Sequence, residues 1–138
     1  MGAVEVDLTG SVLTISFDDQ ANDDVSLAIT STGYEVYGAN STSGTGNITQ
    51  LVVTDAGMAA NSSFELTEAS QNLTGGLTIG SNVTEVDISG NVETADGNVT
   101  IDASNLTLAA NISSGNGSQI YGADVVLGSD VTLITNAS

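Results

Sequence analysis

The sequence contains no lysine, arginine, histidine, cysteine, proline or tryptophan. Each absence removes a class of chemistry. Without a cationic side chain, no carboxylate can be neutralised inside the chain by a salt bridge, a guanidinium fork or a cation–π contact. Seventeen Asp and Glu stand without counter-charge, for a formal charge of −17, and only protons, metal ions or a partner can offset them. That field disfavours nucleic acid and anionic lipid as partners. Missing Cys and His removes the thiolate nucleophile, the disulfide, the soft-metal site and the imidazole base. No run reaches the roughly twenty apolar residues of a membrane span, and no basic segment precedes an apolar one, so membrane insertion is not expected.

What remains is aliphatic and small. Apolar residues make up 40% of the 138, yet aromatics only 4%, so the core must be thin and built of Val, Leu, Ile and Ala. The charged fraction of 12% is too low, and the apolar residues too regularly placed, for a disordered polyanion. One domain over 1–138 is expected, all-β and essentially without helix.

Period-two alternation carries that expectation. "VEVDLTGSVLTISF" alternates on both sides of Thr9-Gly10-Ser11, the pattern of two strands and a turn. Further runs are "VSLAIT" (25–30), "YEVYG" (34–38), "ITQLVVT" (48–54), "SFELT" (63–67), "LTIG" (77–80), "VTEVDIS" (83–89), "VTID" (99–102), "LTLAANIS" (106–113), "IYGADVVLG" (120–128) and "VTLIT" (131–135). Gly, Asn, Asp and Ser separate them, while Val and Thr favour strand over helix.

From residue 77 onward the runs echo one another, against looser strands over 1–76. "LTIGSNVTEV" from Leu77, "VTIDASNLTL" from Val99 and "VVLGSDVTLI" from Val125 share one plan, and a fainter copy begins at Leu51. A period of this size points to a β-solenoid or stacked β-arch, the alternative being a two-sheet β-sandwich. In the solenoid register, Val83, Leu106 and Val131 would stack inside, and Thr84, Thr107 and Thr132 would form an outward ladder. A single Thr file per coil lacks the paired T-x-T array of an ice-binding face.

The stretches "LTIGSNVTEVDISGN" and "GADVVLGSDVTLITN" resemble coils of filamentous-haemagglutinin-type β-helix surface proteins. The composition as a whole, acidic, lysine-free and rich in Gly, Ser, Thr and Asn, is similar to that of archaeal sheath and surface-layer proteins, including the amyloid-like sheath of some methanogens. Both resemblances imply an extracellular β-solenoid at the cell surface.

Ten of the twelve Asn stand in N-x-S/T: Asn40, Asn47, Asn61, Asn72, Asn82, Asn98, Asn105, Asn111, Asn116 and Asn136. About three would follow from the abundance of Ser and Thr, so the excess has a cause. One is glycosylation of a secreted wall protein. The other is geometry, because Asn at a corner, then an inward apolar residue, then an outward Thr spells the same motif.

"FDDQANDDVS" gathers Asp18, Asp19, Asn22, Asp23 and Asp24. Oxygen ligands on one turn suit Ca²⁺ as a structural or subunit-bridging ion, though the spacing is not that of an EF-hand. The plainer reading is a solvated loop tip. Glu65 with Glu68, or Asp18 with Asp24, would supply two carboxyls for glycoside hydrolysis. No cation is available to stabilise developing charge, and no Ser has a His or Lys base, so an enzyme is not expected and no catalytic residue is assigned.

Strand-rich proteins that stay monomeric guard their edges with Lys, Pro, bulges or covering helices. This sequence has neither Lys nor Pro. The expectation is a self-assembling structural protein of an extracellular sheath, surface layer or filament, whose partner is itself through edge strands. The alternative is a solenoid segment of a large cell-surface adhesin that binds glycan or a host protein. The lack of tryptic sites suits either surface location.

Overall fold

The computed structural model describes residues 4–17, 23–38, 41–55, 62–80 and 82–135, and among these there is no helix. Gly10, at φ +64°, allows the chain to reverse over two residues. β1 (Val4–Thr9) therefore returns as β2 (Val12–Phe17), antiparallel, with Val6 opposite Ile15 and Leu8 opposite Leu13. β3 (Asp23–Ile29), β4 (Gly33–Gly38) and β5 (Thr42–Thr45) make a second antiparallel group. Every remaining pairing among the described residues is parallel.

The later strands are β6 (Gln50–Asp55), β7 (Ser62–Ala69), β8 (Gly76–Ile79), β9 (Glu85–Ile88), β10 (Val92–Glu93) and β11 (Val99–Ile101). β12 (Asn105–Leu108), β13 (Ile112–Ser113), β14 (Gln119–Tyr121), β15 (Asp124–Leu127) and β16 (Leu133–Ile134) complete the chain. They lie in three mixed or parallel sheets: six strands ordered β1-β2-β6-β8-β11-β14, seven ordered β15-β12-β9-β7-β3-β4-β5, and three ordered β10-β13-β16. The pairing pattern fits a two-layer sandwich as well as a stack of coils.

Inward residues line up in columns because parallel strands pair in register. One column in the six-stranded sheet runs Leu13, Leu51, Leu77, Val99, Gln119, and its neighbour Ile15, Val53, Ile79, Ile101, Tyr121. The seven-stranded sheet supplies Val25, Phe64, Val86, Leu106, Val125 and Leu27, Leu66, Ile88, Leu108, Leu127. Val92, Ile112 and Leu133 form the short third column. Each fully buried aliphatic side chain contributes about 1.5–3 kcal/mol before entropy is counted, so the columns are the main stabilising feature. Gln71 ties the early loops to this stack: its side-chain oxygen accepts from Ile48 N at 2.7 Å and its Nε2 donates to Thr30 O at 2.9 Å.

The alternating runs mark strands well, but two short ones, β5 and β10, carry too little apolar sequence to be read. "LTLAANIS" and "IYGADVVLG" each break into two strands at a corner. The repeat register also differs from expectation. Leu51, Leu77 and Val99 do lie opposite one another, but Val99 then meets Gln119, while Val125 lies opposite Leu106. The wording shared by "VTIDASNLTL" and "VVLGSDVTLI" recurs at different corners, so matching words displaced the third copy by one strand. Consequently Thr84, Thr107 and Thr132 form no ladder: Thr107 sits between Asp87 and Val126, and Thr84 Oγ1 accepts from Ser62 N at 3.2 Å. Val83, Leu106 and Val131 likewise do not stack, since Leu106 lies between Val86 and Val125.

Candidate functional site

The last strand in each sheet at the C-terminal side is β14, β15 or β16, and each is hydrogen-bonded on one side only. Their neighbours show what that costs. Leu106 and Leu108 are 0% and 1% exposed, whereas Val125 and Leu127, next in the same columns, are 43% and 60% exposed. Leu133, beyond the buried Ile112, is 46% exposed. Among the described residues nothing covers these members of the core columns.

The outward positions change character at the same level. Going along one outward column, Thr78 and Thr100 are followed by Ile120. A second runs Glu65, Asp87, Thr107 and then Val126, and the third Glu93, Ser113 and then Ile134. At this level the outward residue is aliphatic in all three sheets at once, whereas before it the only aliphatic member of these columns is Val52, opposite Thr78. Six of the large exposed apolar residues of the described chain fall on these three strands, the other being Tyr37. Contiguous aliphatic rims of this kind are uncommon on the surfaces of monomeric proteins. The sequence carried a signal for it, since "VVL" at 125–127 interrupts the alternation kept by the equivalent "NLTL" run.

At this end Tyr121 donates its hydroxyl to Gln119 Oε1 at 2.7 Å, and Gln119 Nε2 donates to Ile134 O at 2.9 Å. Partial burial pushes the Tyr121 hydroxyl up to about 12. The Tyr37 hydroxyl is raised as well, first by its 2.8 Å hydrogen bond to Glu35 and then by that carboxylate's charge.

The opposite end is finished differently. Its edges are β1 and β5, both brought in by antiparallel returns. The outward residues of β1 are Glu5, Asp7 and Thr9, and β5 reads Thr-Ser-Gly-Thr without one aliphatic side chain.

Of the candidate cation ligands, Asp18, Asp19 and Asn22 lie outside the described residues. Asp23 and Asp24 belong to the start of β3, opposite Ser62 and Ser63, and not to a loop tip. Among the described residues no three acidic groups are gathered as metal ligands. Of the carboxyls proposed from sequence, Glu65 accepts from Ser26 and Ser89 at 3.4 Å each, Glu68 accepts from Ser70 at 2.6 Å, and the alternative pair of Asp18 with Asp24 has Asp18 outside the described residues. At the bulge at Leu27/Ala28, Leu27 meets Leu66 but Ala28 meets Glu68, so Glu65 and Glu68 lie opposite Ser26 and Ala28, two positions apart on β3. A shallow cleft of about 430 Å³ lined by Ser70, Gln71, Asn72, Asn91 and Glu93 holds one carboxylate and no base.

Among the sequon asparagines, Asn40, Asn61 and Asn136 lie outside the described residues, and Asn47, Asn72, Asn82, Asn98, Asn105, Asn111 and Asn116 are all exposed. Several tie one level of the structure to the next. Asn111 N donates to Asn91 Oδ1 at 2.9 Å, and Asn111 Oδ1 in turn accepts from Thr132 N at 2.8 Å. Ser118 N donates to Asn98 Oδ1 at 2.8 Å, and Asn116 Nδ2 donates to Asp96 at 3.0 Å. Asn91 plays this part without a sequon, so the corner hydrogen bond selects Asn independently of the Thr that follows. No protein-family model, curated protein or solved structure matches the chain.

Proposed function

We propose that the protein is a β-solenoid that self-assembles into an extracellular sheath, surface layer or filament by β-strand pairing between subunits. The stack-of-coils reading is supported by the regular advance of the parallel register, 22 positions from Leu77 to Val99 and 20 from Val99 to Gln119. Corner asparagines that satisfy amides one level up are what a stack requires. The observation that carries the assembly reading is the open row of β14, β15 and β16, with core columns left exposed and unpaired main-chain groups beside them. Carboxylates repel subunits at neutral pH and low salt; protons, screening or Ca²⁺ remove that barrier. The role is structural, and catalysis forms no part of it.

Electron microscopy of the purified protein at neutral and acidic pH, with and without Ca²⁺, tests this directly. Ordered filaments or sheets are expected under at least one of the four conditions. A protein that stays monomeric in all of them is not a self-assembling material.

A second reading draws on the same parallel register. β14 to β16 run in the same direction as every coil before them, so they are also shaped to receive further coils of one longer polypeptide, as in a solenoid adhesin presenting a lateral face to glycan or a host protein. Binding to a glycan array by a monomeric protein would favour it.

A further inference from the structure

The three outward aliphatic residues at the open end are not explained by another coil of the same kind. Coils of this chain present Thr78, Thr100, Asp87, Thr107, Glu93 and Ser113 at those positions, and the opposite end presents Glu5, Asp7 and Thr9 or the uncharged, polar β5. Stacked on either, Ile120, Val126 and Ile134 would face polar or anionic neighbours. The one surface of this molecule with aliphatic residues in all three outward columns is the open end itself.

From this we infer that two copies join through their C-terminal ends, β15 against β15 about a two-fold axis. The inference rests on the edge-pairing reading above and specifies which ends meet. In an antiparallel pair, residues directly opposite point to the same face. The two-fold therefore passes through Val126, which faces its own counterpart on the outside. Val125 then faces Leu127 of the other copy on the inside, completing both core columns across the junction. Asp124 falls opposite Gly128, so the single carboxylate of β15 is kept away from its twin. The same axis exchanges the flanking strands, setting β14 of one copy over β16 of the other and Ile120 beside Ile134. Such an interface is isologous and closes at two copies. Growth beyond the pair then uses the β1 and β5 edges, and the Glu5 and Asp7 carboxylates of β1 make it the step sensitive to pH and salt.

A chain without cysteine makes the test clean. Val126→Cys, exposed and outside the core columns, is expected to form a disulfide-linked dimer in high yield under mild oxidant, and Thr9→Cys at the end of β1 is not. Sedimentation equilibrium of Val126→Asp, with an unchanged circular dichroism spectrum, should show dimerisation weakened about tenfold or more, because two carboxylates then face each other directly. Assembly of the unmodified protein together with cross-linking of Thr9→Cys to Val126→Cys in a mixture, and none within Val126→Cys alone, would overturn the tail-to-tail arrangement and leave edge pairing intact. A wild-type protein that sediments as a monomer at high concentration in every condition overturns both.

Discussion

β1 and β2 are joined by two residues and pair with each other, whereas β11 and β12, joined by three, lie in different sheets. All four strands alternate in the same way. The connectors differ: Gly10 sits exposed at φ +64° and reverses the chain, while Asp102-Ala103-Ser104 turns a corner with Ala103 buried beneath it. A connector that buries its middle residue has to bend around the core, and the strand after it must find its partner about 20 residues away. Local reversal thus brings in β1 and β5 as antiparallel edges, while non-local parallel pairing makes β14, β15 and β16 the edges on the other side among the described residues. Strand sequence sets the faces, and the connector sets who pairs with whom.

The largest test of this contrast removes one leucine from the middle of a column and one from its end. Leu77, fully buried between Leu51 and Val99, should cost about 3 kcal/mol when changed to Ala. Leu127→Ala should cost under about 1 kcal/mol in urea unfolding at low protein concentration, since most of its surface is already in water. In the proposed dimer a second copy covers Leu127, so at high concentration the Leu127 loss should grow. Equal losses at every concentration would erase the distinction between covered and open coils.

A smaller effect sharpens the comparison between adjacent coils. The turns at 94–97 and 114–117 are copies: Thr94 and Ser114 each donate a buried hydroxyl to the carbonyl three residues on, at 2.6 and 2.7 Å. The second residue of each turn is left-handed, Ala95 at φ 53° and Gly115 at φ +56°. Ala there is strained, so Ala95→Gly should stabilise by about 1 kcal/mol. Gly115→Ala should destabilise by about 3 kcal/mol, because its methyl group would also press into the Ala95 carbonyl of the coil below. Chemical denaturation of the two single variants measures both, and opposite signs are the expected outcome.

Much of this was legible in the sequence, and the failures have a common cause. Alternation marked Val12 to Phe17 or Val99 to Ile101 as strands because inward and outward positions demand different side chains. It could not say which strand lies beside which, because Gly-Ser-Asp-Val and Ala-Ser-Asn-Leu are equally good corners, and so the third copy slipped and a threonine ladder was drawn that the chain does not make. Asn98 and Asn111, and Asn91 outside any sequon, have side-chain oxygens that accept amides of the next level, which accounts for Asn at those corners but not for the Ser or Thr two residues on. The candidate site was half visible: absent Lys and Pro flagged unguarded edges, yet the specific signal, aliphatic residues at Ile120, Val126 and Ile134 where earlier coils carry polar ones, needs the register before it can be seen.

The finest probe of the open end is Tyr121, the last residue of the column that begins at Ile15. With no Lys, Arg, Cys or His in the chain, tyrosine is the only side chain that ionises in alkaline solution. The folded-state value of Tyr121, about 12, lies above the ordinary 10.0, so the folded protein keeps that proton after the unfolded chain has lost it. Its contribution to stability is therefore complete below about pH 10 and is lost as pH rises through about 12. Ultraviolet titration of phenolate should show a late step that disappears in Tyr121→Phe. Because the cause is partial burial at an uncovered end, covering that end must raise the value further. The late step should accordingly move to higher pH with protein concentration, and in the oxidised Val126→Cys dimer it should stay high at any dilution; a step that ignores both would mean that nothing sits over Tyr121 in solution.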